Sequence, residues 1–285
     1  MGVFQNNLMG AAAAASAGGG GFYSHQIEQS CRFEAASSDS LSRTFGTSSD
    51  LTKFTFSCWV KRSSTYADGG NTGWQQIISR GTGIGGGGSA FGFESGGGTS
   101  GTGTALDNRD RIAWYGLSGT SGGTSGGDDR IDGYYRDTTA WMHIVIQADT
   151  SQSSGSRVKY YVNGDLKTRC TTNIPAGDFN RFNTNGDVHS IGAGTDGGND
   201  LDAYLAEVIF ADGQSYSATQ FGESKNGVWI PKDPSGTTFG TNGFHLKFEN
   251  SGDLGNDSSG NNNDFAVAAG LGADHQVLDS PTFGS

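Results

Sequence analysis

Hydrophobic and polar residues alternate along most of this chain. In residues 54–60 (FTFSCWV), Phe54, Phe56, Cys58 and Val60 fall on one face and Thr55, Ser57 and Trp59 on the other, the period-two pattern of a half-buried strand. Short runs of the same kind follow at 75–79, 90–93, 111–116, 141–149, 157–169, 189–194, 203–212 and 243–250, with Gly and Ser between them. Within 157–169, Asn163 and Gly164 supply the two positive-φ positions of a type I′ turn, so that run reads as a hairpin. Residues 217–224 (SATQFGES) alone read as one or two helical turns. Strands recurring about every 10–15 residues, without long crossover helices, predict an all-β antiparallel β-sandwich rather than a parallel sheet.

Glycine supplies 49 of the 285 residues, more than twice its ordinary share of about 7 %. Four prolines and no Gly-X-Y period exclude collagen, and an aromatic content of 11 % excludes a purely low-complexity chain. Hydrophobic residues at 33 % and charged residues at 16 % leave a surface of Gly, Ser, Thr and Asn. The glycines concentrate in three long connections, 63–74, 80–104 and 117–133, and connections of that length are commonly functional.

Residues 1–24 read as separate from the domain. A short apolar head (Val3, Phe4, Leu8, Met9), an alanine run and a glycine tether at 18–21 have the build of an anchoring peptide. The basic start and leucine-rich centre of a secretory leader are missing from it. No stretch holds the roughly 18 apolar residues a membrane span needs. The expected division is an anchor over 1–24, the sandwich over 25–230, and an extension over 231–285 that completes it.

Eighteen basic against 29 acidic residues give a formal charge of −11 with no basic cluster, which argues against nucleic acid as a partner. Cys31, Cys58 and Cys170 are odd in number and form no CxxC pair, so they read as plain thiols. GTGIGG at 81–86 matches G-x-G-x-x-G, but no helix follows to hold a pyrophosphate. The G-x-S-x-G matches at 119–123 and 123–127 lie in a glycine run rather than a strand-to-helix elbow.

Among the histidines there is no metal-binding spacing, and His143, alternating with Trp141 and Val145, reads as a packed strand residue. Oxygen ligands are better placed. Asp253, Asp257, Asn261, Asn263 and Asp264 fall in one turn-forming segment, and Asp196, Asp200 and Asp202 in another. Calcium takes six to eight such oxygens, though plain turns use the same residues. Tyr66, Trp74, Trp114, Tyr115, Tyr134 and Tyr135 lie in or beside the long connections. Tyr66, Trp74, Tyr115, Tyr134 and Tyr135 are the candidates for stacking on a sugar or a partner protein; the alternative is that these rings cover the ends of the sandwich.

The order of motifs carries a resemblance. QSCRFEAASSDSLSRTF, LTKFTFSCWVKRSS, QIISRG, WMHIVIQAD, VKYYVNGDLKT, SIGAG and AYLAEVIFADGQSYSATQ together resemble the laminin-G-like, concanavalin A-like jelly roll over residues 29–221. The resemblance implies two stacked antiparallel sheets of about six or seven strands, with the first and last strands adjacent. The opening MGVFQNNLMGAAAAASAGG, the FYSHQIEQSCRF junction and the tail segments GVWIPKDPSG, NDSSGNNNDF and VLDSPT are similar to marine bacteriophage virion proteins of the fibre, tail or capsid-decoration kind. That likeness implies a non-enzymatic virion component, attached to other virion proteins through its N-terminal peptide. It also implies a homo-oligomer, a trimer by preference, and contact with a host-surface glycan. The alternatives are a secreted carbohydrate-binding lectin and a polysaccharide hydrolase. Jelly-roll glucanases carry paired carboxylates as E-x-D-x-x-E, and none of Glu28, Glu34, Glu94, Glu207, Glu223 and Glu249 has that spacing. Glu94 and Glu207 are the candidates for the hydrolase reading. Alternation puts Glu207 on one face with Leu205 and Ile209, where a structural role is expected.

Overall fold

A computed structural model describes residues 21–65, 74–81, 88–94, 109–117, 129–169, 174–179, 181–195 and 198–282. Val3, Phe4, Leu8, Met9, Tyr66, Cys170 and Asp196, most of GTGIGG and both G-x-S-x-G serines lie outside the described residues.

The strands are β1 (Ser30–Phe33), β2 (Ser40–Thr44), β3 (Lys53–Arg62), β4 (Gln75–Arg80), β5 (Ser89–Phe93), β6 (Ile112–Tyr115), β7 (Asp129–Arg130), β8 (Met142–Asp149) and β9 (Val158–Val162). They continue as β10 (Asp165–Leu166), β11 (Val188–Ile191), β12 (Ala203–Asp212), β13 (Gly222–Lys225), β14 (Val228–Pro231), β15 (Phe244–Leu246), β16 (Ala266–Ala269) and β17 (Gln276–Val277). The front sheet runs β10-β9-β8-β3-β12-β1-β17, with β15 also on β12, and the back sheet runs β16-β2-β11-β4-β5-β6-β7. All pairings are antiparallel, and the first strand lies against the last, β1 on β17. The chain is a jelly-roll β-sandwich. Beyond residue 231, β15 and β17 enter the front sheet and β16 the back sheet.

The inward faces meet in one aromatic core. Phe54 and Phe56 from β3, Phe91 from β5, Trp114 from β6 and Phe210 from β12 are fully buried there, with Trp114 set edge-on to Phe182 at 4.8 Å. The Trp114 indole N–H donates to Ser89 Oγ at 2.6 Å, which keeps its one polar atom satisfied in the core.

β3 departs from the half-buried expectation: its outward residues Thr55, Ser57 and Trp59 are buried as well. The cover comes from a segment distant in the chain. Asn226 and Gly227 both take positive φ and fold β13 back on β14, and Trp229 of this hairpin packs with Trp59 against the front sheet. Residues 217–224 accordingly form only a 3-10 turn, Ala218–Gln220, before entering β13, which corrects the helical expectation. At the other hairpin, between β9 and β10, Asn163 and Gly164 also have positive φ.

Glu207 is the second departure. β12 changes register between Ala206 and Ile209 against β3, and Glu207 itself sits at φ 48°, a left-handed conformation unusual for a glutamate inside a strand. Leu205 and Val208 therefore point into the core while Ile209 joins the cluster on the outer face. The extra residue breaks the alternation, so Glu207 does not share a face with both Leu205 and Ile209.

Candidate functional site

An open cleft of about 660 Å³ lies between the two Asn-Gly hairpins, β9-β10 at the edge of the front sheet and β13-β14 packed over its outer face. Trp59, Trp141 and Trp229 line it together with Asn163, Gly164, Asp165, Ser224, Gly227 and Val228. Close backbone approach makes this arrangement possible. A Cβ on Gly164 or on Gly222 would lie 2.4 or 2.5 Å from the Trp229 ring, so glycine at both positions lets the indole lie flat between the hairpins.

Behind the cleft wall the rings form a layered stack. His143 lies parallel to Trp59 at 4.7 Å and to Trp229 at 6.1 Å. The Trp229 Nε1–H donates to His143 Nδ1 at 3.0 Å. An indole nitrogen can only donate, so His143 carries its proton on Nε2 and donates it to Ser57 Oγ, 2.9 Å away. Burial pushes the His143 pKa down to about 3. The ring is thus a neutral spacer holding Trp229 in place, as the packed-residue expectation has it, and in this tautomer it cannot take a proton from Ser57.

Trp141 stands on the opposite wall. Its Nε1–H donates to Asp279 Oδ1 at 3.1 Å, and the Lys61 ammonium lies 5.9 Å from its ring centre. The rim is polar. Asn163 Oδ1 accepts from the His143 backbone N–H, which leaves the Asn163 NH2 group without a partner among the described residues. The Asp165 side chain is 79 % exposed. Partly exposed indoles beside an amide, a hydroxyl and one carboxylate suit a ligand with apolar faces and hydroxyl edges.

Below the hairpin lies a second polar group. Glu207 Oε2 accepts from His245 Nε2, and Glu207 Oε1 faces His25 Nε2 at 3.5 Å. Burial alone would raise the Glu207 pKa, but the hydrogen bond from His245 and the neighbouring His25 imidazole overcome it and hold the carboxyl at about 2. The Glu207 carboxylate beside it raises His25 above the ordinary imidazole value.

The sequence candidates are scattered relative to this cleft. Trp74 and Tyr115 do meet, edge to face at 6.4 Å, beside the back sheet. Tyr134 is exposed between the guanidiniums of Arg111 and Arg136, at 5.0 and 4.7 Å, while Tyr135 packs against the core and its hydroxyl donates to the Asp132 carbonyl. Neither of these tyrosines lines the tryptophan cleft. Sequence reasoning missed Trp229, although Asn226-Gly227 ahead of it is the same turn signal as Asn163-Gly164.

The candidate calcium residues form a hydrogen-bonded turn instead of an oxygen cage. Asp257 Oδ1 accepts from the backbone N–H groups of His245 and Ser259, and Oδ2 from Asn263 N–H and the Ser259 hydroxyl. Asp264 Oδ1 accepts from Asp257 N–H, Asn261 Nδ2 donates to the Gly240 and Gly243 carbonyls, and Asp253 is exposed. Among the described residues no three His, Cys, Asp or Glu side chains are grouped to hold a metal ion. The hydrolase candidates are held apart in function. Arg130 grips Glu94 through Nε and Nη2 at 2.5 and 2.7 Å, whereas Glu207 is bound to histidines. Cys31 and Cys58 are free, buried thiols, raised in pKa by burial.

No family model matches the chain, and no curated protein matches it in sequence. Among solved structures, a putative carbohydrate binding protein from Bacteroides ovatus aligns at TM-score 0.58 and 14 % identity, over 90 % of this chain and 62 % of that one. This chain therefore spans about three-fifths of that protein. Tailspike protein 2 of an Escherichia coli O157:H7 bacteriophage aligns at TM-score 0.41 and 13 % identity, over 67 % of this chain and 23 % of that one. The CBM40 of Ruminococcus gnavus IT-sialidase, bound to sialyllactose, aligns at 0.35 and 15 % identity, over 64 % and 91 %. The first likeness shows the fold, a β-sandwich.

Proposed function

We propose that this chain is a non-enzymatic structural protein of a bacteriophage particle that displays a saccharide-binding jelly roll. The observation that carries the saccharide reading is the cleft between the two Asn-Gly hairpins, with Trp141 and Trp229 as stacking surfaces and Asn163, Asp165 and Ser224 as its polar rim. Among the described residues Asp165 is the one carboxylate lining the cleft, and glycoside hydrolysis needs two flanking the bond, so recognition suits the cleft better than cleavage. The virion reading rests on the likeness of both chain ends to phage structural proteins. Such a component is present in many copies, a trimer being the expected unit, and many weak glycan contacts then add through avidity.

Two experiments test the two halves. On an array of bacterial surface polysaccharides the full chain should bind a subset of glycans. Trp141→Ala should weaken that binding about tenfold, the ~1.5 kcal/mol of a lost stacking contact, and a chelator should leave it unchanged. No binding to any glycan, or full binding by the Trp141 and Asp165 variants, would reject the cleft. For the virion half, a chain lacking residues 1–21 should fail to enter particles. Incorporation at full occupancy would reject the anchor.

A further inference from the structure

The segment leading out of the domain toward residues 1–20 is itself docked, and two unlike sets of contacts hold it. At Ile27 the docking is fixed. The Ile27 N–H donates to Thr282 Oγ1 at 2.9 Å, its carbonyl accepts from both the Ser280 and Thr282 hydroxyls, and its side chain is buried with Trp59 and Ala206. None of these groups titrates. Ahead of it, residues 21–26 lie along the front-sheet face, where their hydrogen bonds and ionic contacts are to side chains of the sheet and its hairpin. Ser24 Oγ donates to Glu223, Lys225 Nζ donates to the Gly21 carbonyl at 3.2 Å with the Phe22 ring 5.6 Å below it, and His25 sits on Glu207.

We propose that residues 21–26 form a pH-released strap: docked on the front sheet while His25 is protonated, and free as far as Ile27 once it is not. The geometry around His25 supports a switch. The imidazole is part of a small cavity with Ser57, Trp59, His143, Glu207, Ile209, Phe221, Pro231, Lys232 and Pro234, with room for about one water molecule. Its charge faces the carboxylates of Glu207 on β12 and Asp233 after β14, and is opposed by Lys247 after β15 and by Lys232 at the cavity wall. His245 takes the other oxygen of Glu207, so no second imidazole position is open to His25 on that carboxylate.

The bulge makes this possible. Without the positive φ at Glu207, the carboxylate would not be presented to the arm. Glu207 stays ionised through the physiological range because its own pKa is held at about 2. The variable charge is therefore on the strap. His25 has its folded pKa raised, so its contribution to docking is complete below the ordinary imidazole value of 6.5 and is lost as pH rises through the raised value. Release frees six residues, about 20 Å of extended reach, ahead of Ile27 and so loosens the orientation of the domain relative to the chain that precedes it.

The test uses the full chain with a nitroxide at Gln26→Cys, an exposed neighbour of His25, in a Cys170→Ser background; Cys31 and Cys58 are buried and do not label. From about pH 6 to about pH 9 the label should pass from an immobilised to a several-fold faster spectrum, in one transition above the free-imidazole pKa. His25→Gln should abolish the transition, and Asp233→Asn should move its midpoint to lower pH. A spectrum constant across that range, or a transition that persists unchanged in His25→Gln, would overturn the proposal. Circular dichroism of each variant reports whether the sandwich is intact, which separates strap release from unfolding.

Discussion

Two buried carboxylates, one at the end of the sandwich and one under the strap, occupy the same unusual backbone state with opposite consequences. Asp110, at φ 61°, is fully buried and accepts from Arg62 Nη1 and Arg136 Nε, both at 2.9 Å; the Arg62 guanidinium is itself 1 % exposed and lies 4.3 Å over the Phe93 ring. Glu207, at φ 48°, accepts from histidines. In each case a left-handed residue turns a carboxylate toward cations contributed by other segments. A guanidinium keeps its charge at every pH a protein meets, so the Asp110 end is permanent. An imidazole does not, so the contact that holds the strap to Glu207 is conditional.

The largest expected effect breaks the permanent pair. Arg62→Met removes the buried guanidinium from Asp110 and should cost about 3–5 kcal/mol in urea unfolding, at every pH between about 6 and 9. A loss below about 1 kcal/mol would mean that Asp110 is satisfied without Arg62.

Next comes the pH dependence of the whole domain, which should run opposite to that of the strap. Burial holds His143 and His189 at about 3, well below their unfolded value of 6.5, so the unfolded chain takes up protons first as pH falls. Stability should therefore decline below about pH 6.5, by up to ~1.4 kcal/mol per pH unit for each histidine, even as the strap binds more tightly. A flat stability between about pH 5 and 7 in calorimetry would contradict the neutral state of both rings.

Glu207→Gln should cost about 1–3 kcal/mol near pH 6 and less near pH 9, where His25 is already neutral. An equal loss at both values would make the contact as permanent as that of Asp110. Gly164→Ala should cost about 1–2 kcal/mol, through its positive φ and the Trp229 ring beside it, and weaken saccharide binding with it. Asp165→Asn is the smallest perturbation. Its exposed side chain should leave stability within about 0.5 kcal/mol of the parent while binding to the array falls.

The local half of this architecture was legible. Alternation placed Phe54, Phe56, Cys58 and Val60 on the core face, and Asn163-Gly164 marked a hairpin, because both signals are set by residues a few positions apart. The same reasoning fell short where a distant segment intervened. Trp59 reads as outward and half-exposed until the β13-β14 hairpin covers it, and residues 217–224 read as helical until pairing with β14 makes part of them a strand. Glu207 follows the alternation on paper, and the register shift against β3 overrides it.

By itself, then, the sequence determined the fold class, most of the strand faces and the Asn163-Gly164 turn, since side-chain period and positive-φ preference are properties of neighbouring residues. Tertiary structure decided the site. Trp59, Trp141 and Trp229 come together only through the sheet order β8-β3-β12 and the hairpin packed over it, and His25, Glu207 and His245 meet only through a bulge and the docking of a terminus. No local pattern encodes those meetings, because each depends on segments that lie far apart in the chain.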